Sequence, residues 1–191
     1  MLDRRDIMKR EGQVRIPSGC AISGIFSKNN EKINGEKIIR SISTMHDRSN
    51  GLGGGFAGYG IYPQYKNLYA FHVFYENNAA KKECEDFLER HFDIENLSKI
   101  PIRKTSSITD EPLIWRYFLL PRHSRLADSQ LEEDEFTARC VIKINSAING
   151  AYVFSSGKNM GVFKAVGFPE DVGYFYRLEE YEGYCWTSHG R

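Results

Sequence analysis

The stretch SGCAISGIF, residues 18–26, decides the fold, because it sets a cysteine between small residues at the start of an apolar run. The run from Cys20 to Phe26 predicts a buried strand. A cysteine in this position is typical of an N-terminal nucleophile whose leader has not yet been removed. Residues 1–19 are mostly polar and charged and show no apolar periodicity, so we interpret them as a leader or propeptide.

Composition excludes several classes of protein. With 191 residues, of which 41% are hydrophobic, the chain can build one domain with a sizeable core. Twenty-six basic residues against 25 acidic ones leave the chain almost neutral, so it lacks the excess positive charge expected of a protein that binds nucleic acid or an anionic membrane surface. No apolar stretch approaches the roughly 20 residues of a membrane span, and residues 1–19 lack the apolar core of a secretory signal. We therefore expect a cytoplasmic protein with a small uncharged or zwitterionic substrate.

The cysteines argue against a metal centre in this chain. They lie far apart, without a C-x-x-C pair, at positions 20, 84, 140 and 185. A thiolate zinc or iron-sulfur site usually shows close paired spacing, so none is expected here. Disulfides are not expected in a reducing compartment. Cys84 and Cys140 fall on the apolar faces of predicted helices, which predicts two buried hydrophobic side chains.

The pattern of elements predicts an α+β fold. Apolar residues recur at helical spacing from about 36 to 47, 80 to 91 and 136 to 148. Residues 121–134 are polar and predict a surface loop. Strand-like runs cover 20–26, 56–62, 68–75, 113–120, 151–155, 160–166 and 184–188. Because strands come in pairs with helices grouped between them, a layered α+β domain is expected rather than a doubly wound parallel sheet.

Two further blocks accompany the cysteine: the Gly-rich stretch Asn50–Gly55 and the closing string Trp186–Arg191. Together the three blocks resemble the class II glutamine amidotransferases, and are most similar to the stand-alone subunits related to the first domain of glutamate synthase. The resemblance implies an N-terminal-nucleophile hydrolase fold, a four-layer αββα sandwich with two antiparallel sheets. Residues from about 71 to 134 would then be an inserted α+β element for contacts with partner subunits.

The resemblance also implies the roles of three residues. Cys20 would attack the side-chain amide of glutamine, and its own α-amino group would act as the base near neutral pH. Arg191 matches the arginine of the family's His-x-Arg string, whose guanidinium grips the α-carboxylate of glutamine. His189 would be a supporting residue. The local sequence of Cys20 alone favours a structural thiol packed in the first strand, and the three blocks together favour the nucleophile.

The Gly-rich stretch has competing interpretations. In the family an Arg-Gly turn follows the first helix; here Arg48 matches, and Ser49 stands in place of the glycine. A phosphate-binding loop is a rival, but the stretch follows a helix and precedes a strand, the reverse of a dinucleotide fingerprint. A tight turn that needs positive φ is the simplest interpretation.

The resemblance runs from Gly19 to Arg191. The family's Asn-Gly pair, which donates to the oxyanion, and its amino-group-binding Asp come after the His-x-Arg string. The resemblance thus implies that residues 20–191 are the front part of a longer subunit or one half of a split one, so turnover by this chain alone is not implied.

Ammonia would pass to a synthase partner that carries flavin and iron-sulfur clusters, with no cofactor in this chain. The alternative is a non-catalytic amidotransferase-like module that binds glutamine or a partner subunit and regulates it. Leader processing separates the two, because an uncut chain lacks the free α-amine.

Overall fold

A computed structural model describes residues 19–108 and 113–191 of the chain. Within these ranges the protein is an α+β structure with two four-stranded antiparallel sheets and a small two-stranded one. The predicted α+β class with antiparallel sheets is confirmed. The proposed leader, apart from Gly19, lies outside the described residues.

The strands are β1 (Ala21–Phe26), β2 (Ile33–Asn34), β3 (Gly54–Tyr59), β4 (Tyr69–Tyr75), β5 (Phe92–Lys99), β6 (Leu113–Pro121), β7 (Ala151–Ser155), β8 (Met160–Ala165), β9 (Glu182–Gly183) and β10 (Cys185–Gly190). The α-helices are α1 (Glu36–Ser43), α2 (Asn78–His91), α3 (His123–Ser129), α4 (Glu133–Ala147) and α5 (Pro169–Phe175). Short 3₁₀ turns occupy His46–Arg48, Pro63–Tyr65 and Leu178–Glu180.

The first sheet has the strand order β1-β10-β3-β8. It brings the predicted strands after Cys20 and around Phe56 into one antiparallel sheet, as expected, although β1 begins at Ala21. The prediction of a buried strand is wrong, because β1 lies at the edge of the sheet and Ile22 and Phe26 on its outer face are exposed. Helices α1 and α5 pack against one face of this sheet. Their buried residues join Phe56 and Trp186 in one apolar cluster, because side chains alternate between the two faces of each strand.

The second sheet has the strand order β5-β6-β4-β7 and lies within residues 69–155. Its strands and the helices α2 and α4 follow one another as βαββαβ, the ferredoxin-like arrangement, with the additional short helix α3 preceding α4. Both long helices pack on the same face, where Cys84 and Cys140 are buried as predicted. Residues 71–134, which we interpret as an insertion, fall inside this unit.

The face of the second sheet without helices packs against the first unit. Ala70 and Phe118 belong to the same apolar cluster as Phe56 and Trp186. The ring of His72 lies 5.1 Å from the ring of Phe163 on β8. The apolar core therefore continues from one sheet to the other.

Two details of the predicted elements are wrong. Residues 121–134 are not a loop, since α3 lies inside this range; none of its residues is buried, so it lacks the apolar periodicity that would have predicted it. The first helix ends at Ser43, and residues 46–48 form a separate 3₁₀ turn. Among the described helices, none has the length and apolarity needed to cross a membrane.

Candidate active site

Cys20 and Arg191 lie beside each other at one end of the first sheet. Strand β1 pairs with β10 in an antiparallel register that sets Ala21 opposite Gly190. Cys20 immediately precedes β1, and Arg191 immediately follows β10. The side chain of Cys20 is exposed. The fold thus brings together the two residues that sequence reasoning selected from opposite ends of the described chain.

The main chain of Arg191 is held by the turn that precedes β3. The amide of Arg191 donates to the carbonyl of Gly53 at 2.9 Å. Its carbonyl accepts two hydrogen bonds, from the amide of Asn50 at 2.7 Å and from the Ser49 hydroxyl at 2.7 Å. Ser49 is 1% exposed. Both polar groups of the Arg191 backbone are therefore fixed by one segment, residues 49–53.

This segment is a tight turn, as the simplest interpretation of the Gly-rich stretch predicted. Gly51 has φ of +72°, a conformation that favours glycine. A side chain there would also meet the ring of Phe168 at 3.1 Å. Just before the turn, the imidazole of His46 stacks on the same ring at 4.2 Å and bonds to the Glu170 carboxylate. These contacts tie the turn to the start of α5.

The side chain of Arg48 lies near Gly19, the last residue of the proposed leader. One terminal nitrogen of its guanidinium lies 3.9 Å from the position that a Cβ atom on Gly19 would occupy. Gly19 and Cys20 are both exposed. The peptide bond between them is therefore accessible to a processing reaction, and a cation lies close to it.

An open cleft of about 1000 Å³ adjoins Arg191. Part of its floor is the face of the first sheet away from α1. The Ser23 hydroxyl bonds to Ser41 on α1, so the side chains that alternate with Ser23 and with its partner Ser188 lie on the cleft side, and these include Ile22, Thr187 and His189. Ile22, two residues after Cys20, lines the cleft and is 72% exposed. The other lining residues from the sheet are Gly54, Gly55, Phe56, Ala57, Val162, Lys164, Ala165, Thr187, Ser188 and His189.

The charges around the cleft have one sign. Of the described residues that line it, Lys164 and Arg191 carry a formal charge at neutral pH, and both are cations. His189 also lines the cleft and is exposed. Much of the remaining lining is aliphatic, aromatic or glycine backbone. The cleft can therefore bind a small molecule with a carboxylate at its Arg191 end.

The four cysteines differ sharply in their surroundings. Burial raises the pKa of the Cys84 and Cys140 thiols to about 11, so both are protonated at neutral pH. Cys185 on β10 is partly buried, and Cys20 is exposed. Of the four thiols, that of Cys20 is therefore the most accessible to a substrate. No group of three or more potential metal ligands occurs within residues 19–108 and 113–191.

Sequence reasoning missed Ser49 as a contributor to the site. It recognised Ser49 only as a departure from the family's Arg-Gly turn. A hydroxyl next to a Gly-rich turn carries no sequence signal of its long-range partner, because Arg191 reaches it only through the pairing of β10 with β3.

Comparison with known proteins gives a relative without an assigned activity. A stretch of 175 residues is 44% identical to an uncharacterised protein of Archaeoglobus fulgidus. The match covers 90% of this chain and 46% of that protein, so the chain spans about half the length of this relative. No family model matches the chain.

Proposed function

We propose that this chain is the front part of a class II glutamine amidotransferase subunit, related to that of glutamate synthase, that hydrolyses glutamine to glutamate and ammonia. Cys20 is the nucleophile, Arg191 binds the substrate's α-carboxylate, and His189 supports the site. The observation that supports the proposal is the pairing of β1 with β10, in which Cys20 and Arg191 flank the Ala21–Gly190 pair and Arg191 lines the cleft.

The chemistry of the cleft supports an amino-acid substrate. Glutamine offers a carboxylate for a planar guanidinium, which binds it through two parallel hydrogen bonds. Lys164 adds a second positive charge on the cleft wall. A phosphate ligand is less favoured, because the Gly-rich turn follows a helix rather than opening one.

The reaction we propose uses groups that Cys20 itself provides once the leader is removed. Its α-amine takes the thiol proton as the sulfur attacks the amide carbon of glutamine. The carbon–nitrogen bond then breaks, and the departing nitrogen receives that proton and leaves as ammonia. Water hydrolyses the resulting γ-glutamyl thioester, which releases glutamate and restores the thiol. The exposed Gly19–Cys20 junction supports removal of residues 1–19.

We extend the proposal to the four-layer fold of the family and to its partner subunits. The first sheet with α1 and α5 would supply two layers of the four-layer N-terminal-nucleophile hydrolase sandwich. Ammonia would pass to a synthase or other ammonia-accepting subunit in the cytoplasm, in amino-acid biosynthesis. That partner would carry the flavin and the iron-sulfur clusters. The βαββαβ unit around residues 71–134 offers a surface for such contacts.

The test is ammonia release from glutamine by the native-length protein. Cys20→Ala should abolish release and leave glutamine binding largely intact, because it removes the nucleophile but not the carboxylate clamp. Cys185→Ala is the matched control and should retain activity, since this partly buried thiol lies at the opposite end of β10. Release at the wild-type rate by Cys20→Ala would contradict the proposal. Glutamine binding without release by the wild type would favour a regulatory binding module instead.

A further inference from the structure

Ser49 is a buried residue that bonds to the substrate-binding end of the proposed site without lining the cleft. Its hydroxyl donates to the Arg191 carbonyl at 2.7 Å, and its side chain is almost completely enclosed. The same carbonyl also accepts the Asn50 amide, and the Arg191 amide bonds to Gly53. Among these described hydrogen bonds to the Arg191 backbone, the one from the Ser49 hydroxyl comes from a side chain, and the other two come from the backbone.

The space around this hydroxyl is restricted. A Cβ atom on Gly190 would lie 3.1 Å from the Ser49 oxygen and 2.9 Å from the Cγ of Pro169. The Ser49 side chain and Pro169 at the start of α5 therefore leave no room for a side chain on Gly190, the last residue of β10. Side chains alternate along a strand, so Arg191, the residue after Gly190, faces the cleft. A shift of the Gly190 backbone would therefore move Arg191.

We propose that Ser49 is a positioning residue for substrate binding: it fixes the Arg191 peptide so that the guanidinium meets the α-carboxylate of glutamine in the orientation for two hydrogen bonds. This inference rests on the proposed function. It gives a role to the position at which the chain departs from the Arg-Gly turn of the family it resembles. A guanidinium binds a carboxylate well only when its plane is correctly oriented, so a loosened peptide weakens binding without removing the charge.

The test is glutamine affinity, measured by calorimetry in the native-length protein with Cys20→Ala to prevent turnover. Ser49→Ala should raise the dissociation constant about twofold to tenfold, the range expected for one lost neutral hydrogen bond. In the protein that keeps Cys20, the same change should raise KM by a similar factor and leave kcat within about twofold. Ser43→Ala is the matched control, because its hydroxyl donates to the Arg40 carbonyl on an exposed helix end.

Two further variants separate positioning from folding. Ser49→Thr keeps the hydroxyl and should restore affinity to near the wild-type value. Gly190→Ala keeps Ser49 but crowds its oxygen, and should weaken glutamine binding in the same direction as Ser49→Ala. A purely structural role would lower the folded fraction, and with it kcat, while the affinity of the folded protein stayed unchanged.

The outcomes distinguish this inference from the function on which it rests. Unchanged glutamine affinity in Ser49→Ala, beside a wild type that binds and hydrolyses glutamine, would overturn the positioning role alone. A wild type that does not bind glutamine would overturn both.

Discussion

His72 should make the stability of the protein depend on pH. Its imidazole is fully buried in the core that joins the two sheets. Nδ1 lies 2.8 Å from the Val162 carbonyl, to which it can only donate, and Nε2 lies 2.9 Å from the Tyr62 hydroxyl. Burial raises the pKa of Tyr62 well above its ordinary value, so that hydroxyl keeps its proton and donates it to Nε2. The two bonds therefore fit a neutral imidazole.

The sign of the effect follows from the pKa of His72. Burial, the dominant cause, lowers the pKa of His72 to about 3, whereas an unfolded histidine has its ordinary value of 6.5. Below pH 6.5 the unfolded chain binds a proton that the folded protein does not. The stability that His72 contributes is thus present above pH 6.5 and is lost as the pH falls toward 3.

The magnitude can be worked from these two values. A histidine that titrates at 6.5 only when unfolded lowers the free energy of unfolding by about 2.7 kcal/mol between pH 7.5 and pH 4.5. Other groups also titrate in this range, so the useful quantity is the difference between the wild type and His72→Gln. That variant cannot take up the proton, and its deficit in stability should shrink by about 2.7 kcal/mol over the same interval.

Urea unfolding at pH 7.5, 6.5, 5.5 and 4.5 measures this difference. The matched control is His123→Gln, because His123 is exposed at the start of α3. This variant keeps His72, so it should still lose the roughly 2.7 kcal/mol that His72→Gln does not lose. If the curves of His72→Gln and the wild type were parallel, His72 would not be a buried neutral imidazole and the reasoning would be refuted.

Three other predictions concern substrate binding and packing. Arg191→Lys should raise the dissociation constant for glutamine about tenfold to hundredfold in calorimetry, because an ammonium cannot make the paired bonds of a guanidinium; an unchanged value would exclude the clamp. Gly58→Ala should lower the free energy of unfolding in urea by about 1 to 3 kcal/mol, since the new Cβ would lie 2.6 Å from the Trp186 ring. Gly53→Ala, with no heavy atom within 4 Å of the added Cβ, is its control and should change stability little. Asn77→Ala should cost about 1 kcal/mol in the same assay, because Asn77 caps the first turn of α2, and an unaltered midpoint would contradict the cap.

Sequence periodicity predicted the elements that bury a continuous apolar face. The strand β4 and the helix α2 appear within a few residues of their predicted bounds. β4 is buried on both faces and is a nearly continuous apolar run in the sequence, whereas α2 buries one face and shows the 3.6-residue period. β5 was missed for the opposite reason. It is an edge strand, largely exposed, with a register shift between Ile94 and Asn96, so its sequence has no alternation to detect.

Helix α5 was missed although its start carries a signal. Pro169 stands at the first turn, and Glu170 and Asp171 follow it, as is typical of a helix N-terminus. The helix is only seven residues long and contains Gly173, a poor helix former. That glycine is needed because a Cβ there would lie 2.6 Å from Ile39 on α1. The close approach of two helices overrides local propensity here, which one sequence does not reveal.

Cys20 and Arg191 are candidate site residues selected through the family resemblance, and their roles stay predictions for the experiments above. Their proximity depends on the β1–β10 register, and the hold on the Arg191 backbone depends on Ser49. Long-range pairing of this kind leaves no trace in the spacing of residues along the chain.

The central claim is that Cys20, at a freed N-terminus, forms a thioester with glutamine. The most direct test is to mix the native-length protein, purified from its own cells, with excess glutamine, stop the reaction with acid, and map the peptides by mass spectrometry. We predict that the mature chain begins at Cys20 and that a γ-glutamyl adduct is found on this residue. Ammonia release without an adduct on Cys20, or from an active chain that still carries Ile16 and Pro17, would contradict the account.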